Sequence, residues 1–157
     1  MERDAGMKIW VDADACPKVI KELLFRVAER TGTAMTLVAN QYIFIPPSQR
    51  ISFILVESAF NSADDKIVEL CQQKDLVITA DIPLAAAAVK KGAFALNPRG
   101  DIYDSGNIGQ ILAMRDLMDH LRGGLMEQGS GGPAPFTAKD RANFANALDK
   151  FMASQKP

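Results

Sequence analysis

Short apolar runs of strand length alternate along the chain with longer segments in which apolar residues recur every three or four positions. The short runs predict five strands, at residues 9–11, 35–39, 52–56, 76–79 and 93–96. The longer segments predict helices after the first, third, fourth and fifth strands, and one more near the C-terminus. This alternation favours an α/β fold, a three-layer domain with a mostly parallel sheet of about five strands and added C-terminal helices.

Boundary residues mark several of the predicted helix ends. Pro17 suits the first position of the first helix, and Gly32 follows its end. Capping-box spacing is found from Ser62 to Asp65 and from Thr137 to Asp140. In the helix predicted from residue 107 to about 122, the inward face is expected to consist of Ile108, Ile111, Leu112, Met118 and Leu121. The last helix is expected to face inward with Phe144, Leu148 and Phe151.

One connection, residues 40–50, is long for a compact domain. It carries Tyr42, Phe44 and the pair Pro46-Pro47, and it predicts either a short irregular helix or a functional lip.

Composition is typical of a single globular domain. The chain has 157 residues, 48% of them hydrophobic and 24% charged, and a net charge of −1, so binding to nucleic acid would need a local basic patch. Cys16 and Cys71 are too few for a disulfide scaffold, which favours a reducing cytoplasm. No apolar run approaches the ~18 residues of a spanning helix, so no membrane association is expected. Residues 1–6 are predicted as an extension, 7–152 as one domain and 153–157 as a tail.

Acidic residues stand where the predicted strands end. Asp12 and Asp14 follow the first strand, Asp81 follows the fourth, and Asp64 and Asp65 open the helix after the third. In a sheet of order 3-2-1-4-5 these carboxylates would converge beyond the carboxyl ends of the strands, where open α/β sheets bind ligands. A divalent cation, Mg²⁺ or Mn²⁺, would remove their mutual repulsion, and two such ions can activate water for phosphodiester hydrolysis.

Simpler interpretations compete at each of these positions. An aspartate after a strand is often a helix cap or turn residue, and this would explain Asp14, Asp64, Asp65 or Asp81 singly. Lys18, Arg99 and Arg115 are candidate phosphate contacts, although Arg99 equally suits a solvated turn. Cys16, at a helix start, and Cys71, on an apolar helix face, are expected to be packed residues, and His120 a surface residue.

Five motifs in order resemble the YaiI/YqxD family of bacterial proteins over nearly the whole chain. They are the segments 11–17 (VDADACP), 63–65 (ADD), 77–85 (VITADIPLA), 98–100 (PRG) and 131–137 (GGPAPFT). The wider group that the chain resembles is the PIN-like nucleases, which implies a 3-2-1-4-5 sheet with acidic residues that bind Mg²⁺ or Mn²⁺ for cleavage of RNA or flap DNA.

Carried over by position, the resemblance makes Asp12, Asp81 and either Asp64 or Asp65 the metal ligands, with Asp14 as an addition typical of the family. Asp101 stands near the place of a further, more variable acid, and Asn61 replaces an aspartate common in the family pattern, which weakens that position as a ligand.

Three functions stay open on these grounds. The first is a metal-dependent nuclease, acting on RNA rather than DNA, with Asp12, Asp14 and Asp81 as catalytic residues. The second is a haloacid-dehalogenase-type phosphatase, because Asp12 and Asp14 form a D-x-D after the first strand; it lacks the usual Ser or Thr after strand 2. The third is a nucleic-acid-binding or protein-binding module that keeps a vestigial acidic site. A homodimer is also left open.

Overall fold

A computed structural model describes residues 6–59, 62–125 and 134–155, and the following elements lie in these ranges. The strands are β1 (Ile9–Asp12), β2 (Met35–Ala39), β3 (Ile51–Leu55), β4 (Leu76–Ile78), β5 (Phe94–Leu96) and β6 (Ile102–Tyr103). The helices are α1 (Lys18–Thr31), α2 (Ser62–Leu70), α3 (Ile82–Lys90), α4 (Ile108–Leu125) and α5 (Ala138–Ser154), and a 3₁₀ turn (Ala13–Ala15) follows β1. The predictions for the extension 1–6 and for Asn61 lie wholly or almost wholly outside the described residues.

The strands form one sheet in the order β3-β2-β1-β4-β5-β6, which confirms the predicted α/β class and the central order 3-2-1-4-5. The first five strands are parallel, and β6 pairs antiparallel with β5. The sequence did not predict β6, because a strand of two residues is too short to show an alternating pattern.

Alternate residues of the central strands enter two different apolar layers. Ile9 and Val11 of β1 point to the layer that contains α1 and α5, whereas Trp10 points to the layer that contains α2 and α3. The predicted inward residues of α5, Phe144, Leu148 and Phe151, are all buried. Helices therefore cover both faces of the sheet, as expected for parallel strands that are buried on both sides.

The helix boundaries follow the local signals with small differences. Pro17 is the N-cap of α1 rather than its first residue, and Gly32 ends that helix in the left-handed conformation. Thr137 and Asp140 form the complete capping box that the spacing predicted. Helix α2 begins at Ser62 itself, so Ser62 lies inside the helix instead of in front of it.

The prediction for the C-terminal half of α4 is wrong. Met118 and Leu121 are exposed, together with Met114 and Leu117, and only the first turns of the helix pack against the α2/α3 layer. The reason is length: α4 has 18 residues, or about 27 Å, whereas its neighbour α3 has nine and cannot cover it. None of the helices in the described ranges is long and apolar enough to cross a membrane.

The segment 40–50 is irregular, so the structure excludes the short helix that was one of its two interpretations. Ile43 and Ile45 pack against the α1/α5 layer, while Tyr42 and Phe44 between them are exposed. The segment connects the carboxyl end of β2 to the amino end of β3, and it therefore crosses the sheet beside α1.

Gly100, in the turn between β5 and β6, should tolerate no side chain. Its φ is +101°, and a Cβ there would lie 2.8 Å from the carbonyl carbon of Asn143 in α5. We expect Gly100→Ala to lower the free energy of unfolding by about 2–3 kcal/mol in urea denaturation, from backbone strain and displacement of α5. Gly109→Ala is the control, because its Cβ would meet nothing within 4 Å and alanine is a better helix former. Equal stability of the two variants would contradict the expectation.

Candidate metal centre

Four carboxylates lie at the carboxyl edge of the sheet, each positioned by a different local structure. Asp12 is the last residue of β1, and Asp14 lies in the 3₁₀ turn that follows. Asp64 is in the first turn of α2, and Asp81 precedes α3. The charges of Asp14 and Asp81 act on Asp12, and those of Asp12 and Asp81 act on Asp64, so the four form one electrostatic cluster, hereafter the acid cluster.

Thr79 fixes the relative position of two members of the acid cluster. Its hydroxyl donates to Oδ2 of Asp12 at 2.7 Å and accepts from the backbone N–H of Asp81 at 3.0 Å. The side chain is only 2% exposed, at the end of an otherwise apolar strand. No motif indicated a role for Thr79 in advance; the available signal was a hydroxyl residue between β4 and the following acid, Asp81.

Asp81 and Asp14 also have structural partners, as the cap interpretation expected. Oδ1 of Asp81 accepts from the backbone N–H of Leu84 at 2.9 Å and so caps α3. Oδ2 of Asp14 accepts from the backbone N–H of Asn40 at 2.8 Å, which ties the 3₁₀ turn to the end of β2. Each bond uses one carboxylate oxygen, so capping and a place in the acid cluster are compatible.

Burial and the charges of neighbouring carboxylates raise the pKa values of two members of the acid cluster, Asp12 and Asp64. Burial is the largest influence on the pKa of Asp12 and raises it. The hydrogen bond from Thr79 lowers this pKa, whereas the charges of Asp81 and Asp14 raise it further. Burial and the charges of Asp81 and Asp12 raise the pKa of Asp64 to about 6, helped by a hydrogen bond from the protonated Asp64 carboxyl to Asp81. Neighbouring negative charges disfavour the ionised form of these carboxyl groups. A bound cation would offset this repulsion and stabilise the ionised form.

The donor chemistry of the acid cluster fits a hard divalent cation. All the donors are carboxylate oxygens, and Mg²⁺ typically takes one or two carboxylates from the protein and completes its shell with water and phosphate oxygens. In the described ranges no three His, Cys, Asp or Glu side chains are arranged as a ready-made metal-binding group. Asp12, Asp64 and Asp81 would therefore hold an ion only with such additional oxygen ligands.

Two other predicted acids stand apart from the acid cluster. Asp65 is exposed on α2, and its charge is the smallest of the influences on Asp64. Asp101 is bonded within its own turn, where its carboxylate accepts from the Asn97 side chain at 3.2 Å.

The three predicted phosphate contacts lie in different surroundings. Lys18 begins α1 at the carboxyl edge, and its ammonium is exposed, 4.0 Å from Glu22. Arg99 is held by a 2.7 Å ion pair with Asp140, and its guanidinium also donates to the Ala134 carbonyl at 2.5 Å. These bonds fasten the start of α5 to the β5–β6 turn, so a contact of Arg99 with phosphate would compete with them. Arg115 pairs with Asp116 and Asp119 on the exposed part of α4.

Neither cysteine is suited to nucleophilic chemistry. Cys16 is buried, and burial raises the pKa of its thiol to about 12 despite the nearby charge of Lys21. Cys71 is also buried, and burial raises its pKa as well. His120 is exposed on α4. All three agree with the sequence-based expectation of packed cysteines and a surface histidine.

Asp64 should titrate near pH 6 in metal-free protein, and this value should depend on Asp81. Of the neighbouring charges, that of Asp81 raises the Asp64 pKa most. Asp81→Asn removes this charge while its amide oxygen can still cap α3, so the Asp64 pKa should fall toward 3.8. Because the folded pKa lies above the unfolded one, the stabilisation from the Asp64 proton is complete below 3.8 and is lost as the pH rises through about 6. Carboxyl ¹³C NMR titration measures the shift. Asp65→Asn is the control and should change the Asp64 pKa least; an unchanged value in Asp81→Asn would contradict the coupling.

The sheet order and the acid cluster at its carboxyl edge define the class: this is a three-layer α/β protein of PIN-like fold. Residues 10–154 match the model of the family described as "Uncharacterized BCR, YaiI/YqxD family". The chain belongs to the YaiI/YqxD family, which confirms the resemblance based on the motifs.

Relatives from several bacteria align along almost their whole length. A UPF0178 protein of Pseudoalteromonas atlantica is 54% identical over 149 residues, which cover 95% of this chain and 100% of the relative. UPF0178 proteins of Syntrophotalea carbinolica and Maridesulfovibrio salexigens are 56% and 57% identical over 146 residues, covering 93% of this chain and 97% and 95% of theirs. No solved structure matches the chain.

Proposed function

We propose that this protein is a metal-dependent nuclease that hydrolyses phosphodiester bonds in RNA, with the acid cluster as its active site. The observation that carries the proposal is the gathering of Asp12, Asp14, Asp64 and Asp81 at one edge of the sheet, where their charges oppose one another. Such a group is destabilising for the apoprotein, and strongly perturbed carboxylates at a strand edge are typical of functional sites.

Each residue has a distinct task in this proposal. Asp12, Asp64 and Asp81 would hold Mg²⁺ or Mn²⁺, and Thr79 keeps Asp12 and Asp81 at a fixed separation through its two hydrogen bonds. A divalent cation at this position supplies charge neutralisation of the phosphodiester and activation of water. Asp14, which is exposed and accepts from the backbone N–H of Asn40, adds negative charge to the acid cluster. Lys18, exposed at the same edge, is available to contact substrate phosphate.

A binding module with an inactive acid cluster is the second candidate, and one observation favours it. Without a substrate, the described acidic side chains do not by themselves form a three-ligand metal group. In a nuclease the phosphate oxygens of RNA would supply the missing ligands, whereas in a binding module they would not be cleaved. The two candidates therefore differ in turnover rather than in binding.

Metal titration and a cleavage assay test the proposal together. We expect calorimetry to show saturable Mn²⁺ binding, and we expect end-labelled single-stranded RNA to be shortened with 1–5 mM Mn²⁺, on the order of the millimolar affinity of weak oxygen-ligand sites, but not with EDTA. Binding of RNA without cleavage at any Mn²⁺ or Mg²⁺ concentration would overturn the nuclease and favour the binding module.

A further inference from the structure

Two adjoining hollows lie between α1 and the 40–50 segment, on the face of the sheet opposite α2 and α3. One has a volume of about 800 Å³ and extends toward Arg50, and the other, of about 470 Å³, extends toward Lys18. Phe25 and Pro46 line both hollows, so the two adjoin at these side chains and are considered together as one groove. We refer to it as the α1 groove.

The α1 groove concentrates positive charge in a protein whose net charge is −1. Two acids, Glu22 and Glu29, also line it, and Glu29 is bonded to the Ser48 hydroxyl. Five cationic side chains line it: Lys18, Lys21, Arg26, Arg30 and Arg50. Arg30 forms an ion pair with Asp149 at 3.5 Å, and this pair is weak because both side chains are exposed. This is the local basic patch that nucleic-acid binding by a near-neutral protein requires.

Two aromatic rings of the 40–50 segment are exposed, and one of them, that of Phe44, lines the α1 groove. Phe44 is 80% exposed and Tyr42 82% exposed, although both are large and apolar. The Tyr42 ring lies 6.1 Å from that of Phe53 in β3, which holds it in place. Pro46 and Pro47 stiffen the segment, so the rings are presented at a low entropic cost. Exposed rings beside cations are the elements with which proteins bind unpaired bases and their phosphates.

The walls of the α1 groove begin near the carboxyl edge of the sheet, the edge that carries the acid cluster. Helix α1 begins at Lys18, separated only by Cys16 and Pro17 from the 3₁₀ turn that carries Asp14. The 40–50 segment begins at Asn40, whose backbone N–H donates to the Asp14 carboxylate. Both walls therefore start at the carboxyl edge and run to the amino edge. The 14 residues of α1 span about 21 Å, enough for roughly six nucleotides at duplex spacing and fewer for an extended strand.

From these features we infer that the α1 groove binds single-stranded RNA and leads it to the acid cluster. The inference rests on the proposed function for the identity of the nucleic acid, but binding in the groove needs no metal. Bases stack on Phe44, and phosphates follow Lys18, Lys21 and Arg26. A duplex would not offer its bases to this ring, so the groove selects unpaired strands.

Fluorescence anisotropy of a labelled 12-nucleotide uridine RNA in EDTA tests the inference without hydrolysis. Lys21→Glu/Arg26→Glu should weaken binding at least tenfold and reduce the slope of log affinity against log salt by about 1.4, or ~0.7 for each lost phosphate contact. Phe44→Ala should weaken binding roughly tenfold with an unchanged salt slope. The matched control is Lys74→Glu/Lys90→Glu, which reverses two exposed charges outside the α1 groove, one in the turn before β4 and one at the end of α3, and should stay within about twofold of the wild type.

Each outcome decides for or against the α1 groove. Equal losses in the groove and control variants, or no effect of Phe44→Ala, would overturn it, because charge alone would then explain binding. Tighter binding of duplex RNA or of a poly-glutamate peptide would also overturn it. Groove-dependent binding without metal-dependent cleavage would support the groove and refute the nuclease. Cleavage that the groove variants perform with an unchanged KM would refute the groove and support the nuclease.

Discussion

Asp12→Asn is expected to reduce metal-dependent RNA hydrolysis by roughly 10³-fold or more and to leave the protein at least as stable as the wild type. The loss follows from removal of a carboxylate at the centre of the acid cluster, beside both Asp81 and Asp14. Stability should not fall, because the amide oxygen can still accept the Thr79 hydroxyl and because burial and repulsion oppose the charge of Asp12 in the native state. Most substitutions of a structural residue would lower both properties together.

Two measurements separate these effects. Initial cleavage rates with Mn²⁺ report function, and thermal denaturation with and without Mn²⁺ reports stability and binding. Wild-type protein should gain up to about 3 kcal/mol at 100 times the dissociation constant, whereas Asp12→Asn should gain almost nothing. Asp116→Asn, which removes an exposed acid on α4, is the control and should behave as the wild type in both. Cleavage within threefold of the wild type by Asp12→Asn would exclude the acid cluster as the active site.

The central sheet and most of the acid cluster could be predicted because both depend on local patterns. Each buried strand is a short apolar run, and parallel strands end at the same edge, so residues after them are brought together by topology alone. Asp12 and Asp81 follow neighbouring strands in this way. The sequence could not decide which of Asp64 and Asp65 belongs to the acid cluster, because both lie in the first turn of the same helix. The rotation of α2 about its axis places Asp64 beside Asp81.

The features that sequence missed depend on contacts between distant parts of the chain. The burial of α4 was overestimated, because an apolar stripe reports what a helix could bury and not where its neighbour α3 ends. Arg99 resembled a phosphate ligand until its distant partner Asp140 was known. No sequence motif indicated a role for Asp75, yet it is only 1% exposed and accepts hydrogen bonds from residues 65 and 67 positions earlier.

Asp75→Ala is expected to produce the largest loss of stability, about 4 kcal/mol or more. The Asp75 carboxylate accepts from the backbone N–H of Lys8 at 3.0 Å, the indole N–H of Trp10 at 3.0 Å and the backbone N–H of Gln72 at 2.9 Å. Hydrogen bonds to a charged acceptor contribute about 1.5–3 kcal/mol each, and removal of Asp75 would also leave the buried indole N–H of Trp10 without this acceptor. Urea denaturation measures the loss, which should be smaller for Asp75→Asn, because its amide retains one accepting oxygen.

The position of Asp75 makes this variant the counterpart of Asp12→Asn. Asp75 precedes β4 at the amino edge of the sheet, whereas Asp12 ends β1 at the carboxyl edge, so the two carboxylates stand at opposite ends of one strand pair. Asp75→Asn should therefore lose stability and keep the Mn²⁺ affinity of the folded protein, the reverse of Asp12→Asn. Asp149→Ala, which removes only an exposed pair with Arg30, should cost less than about 1 kcal/mol. A similarly small loss of stability in Asp75→Ala would mean that water replaces the carboxylate as the acceptor for the indole N–H of Trp10.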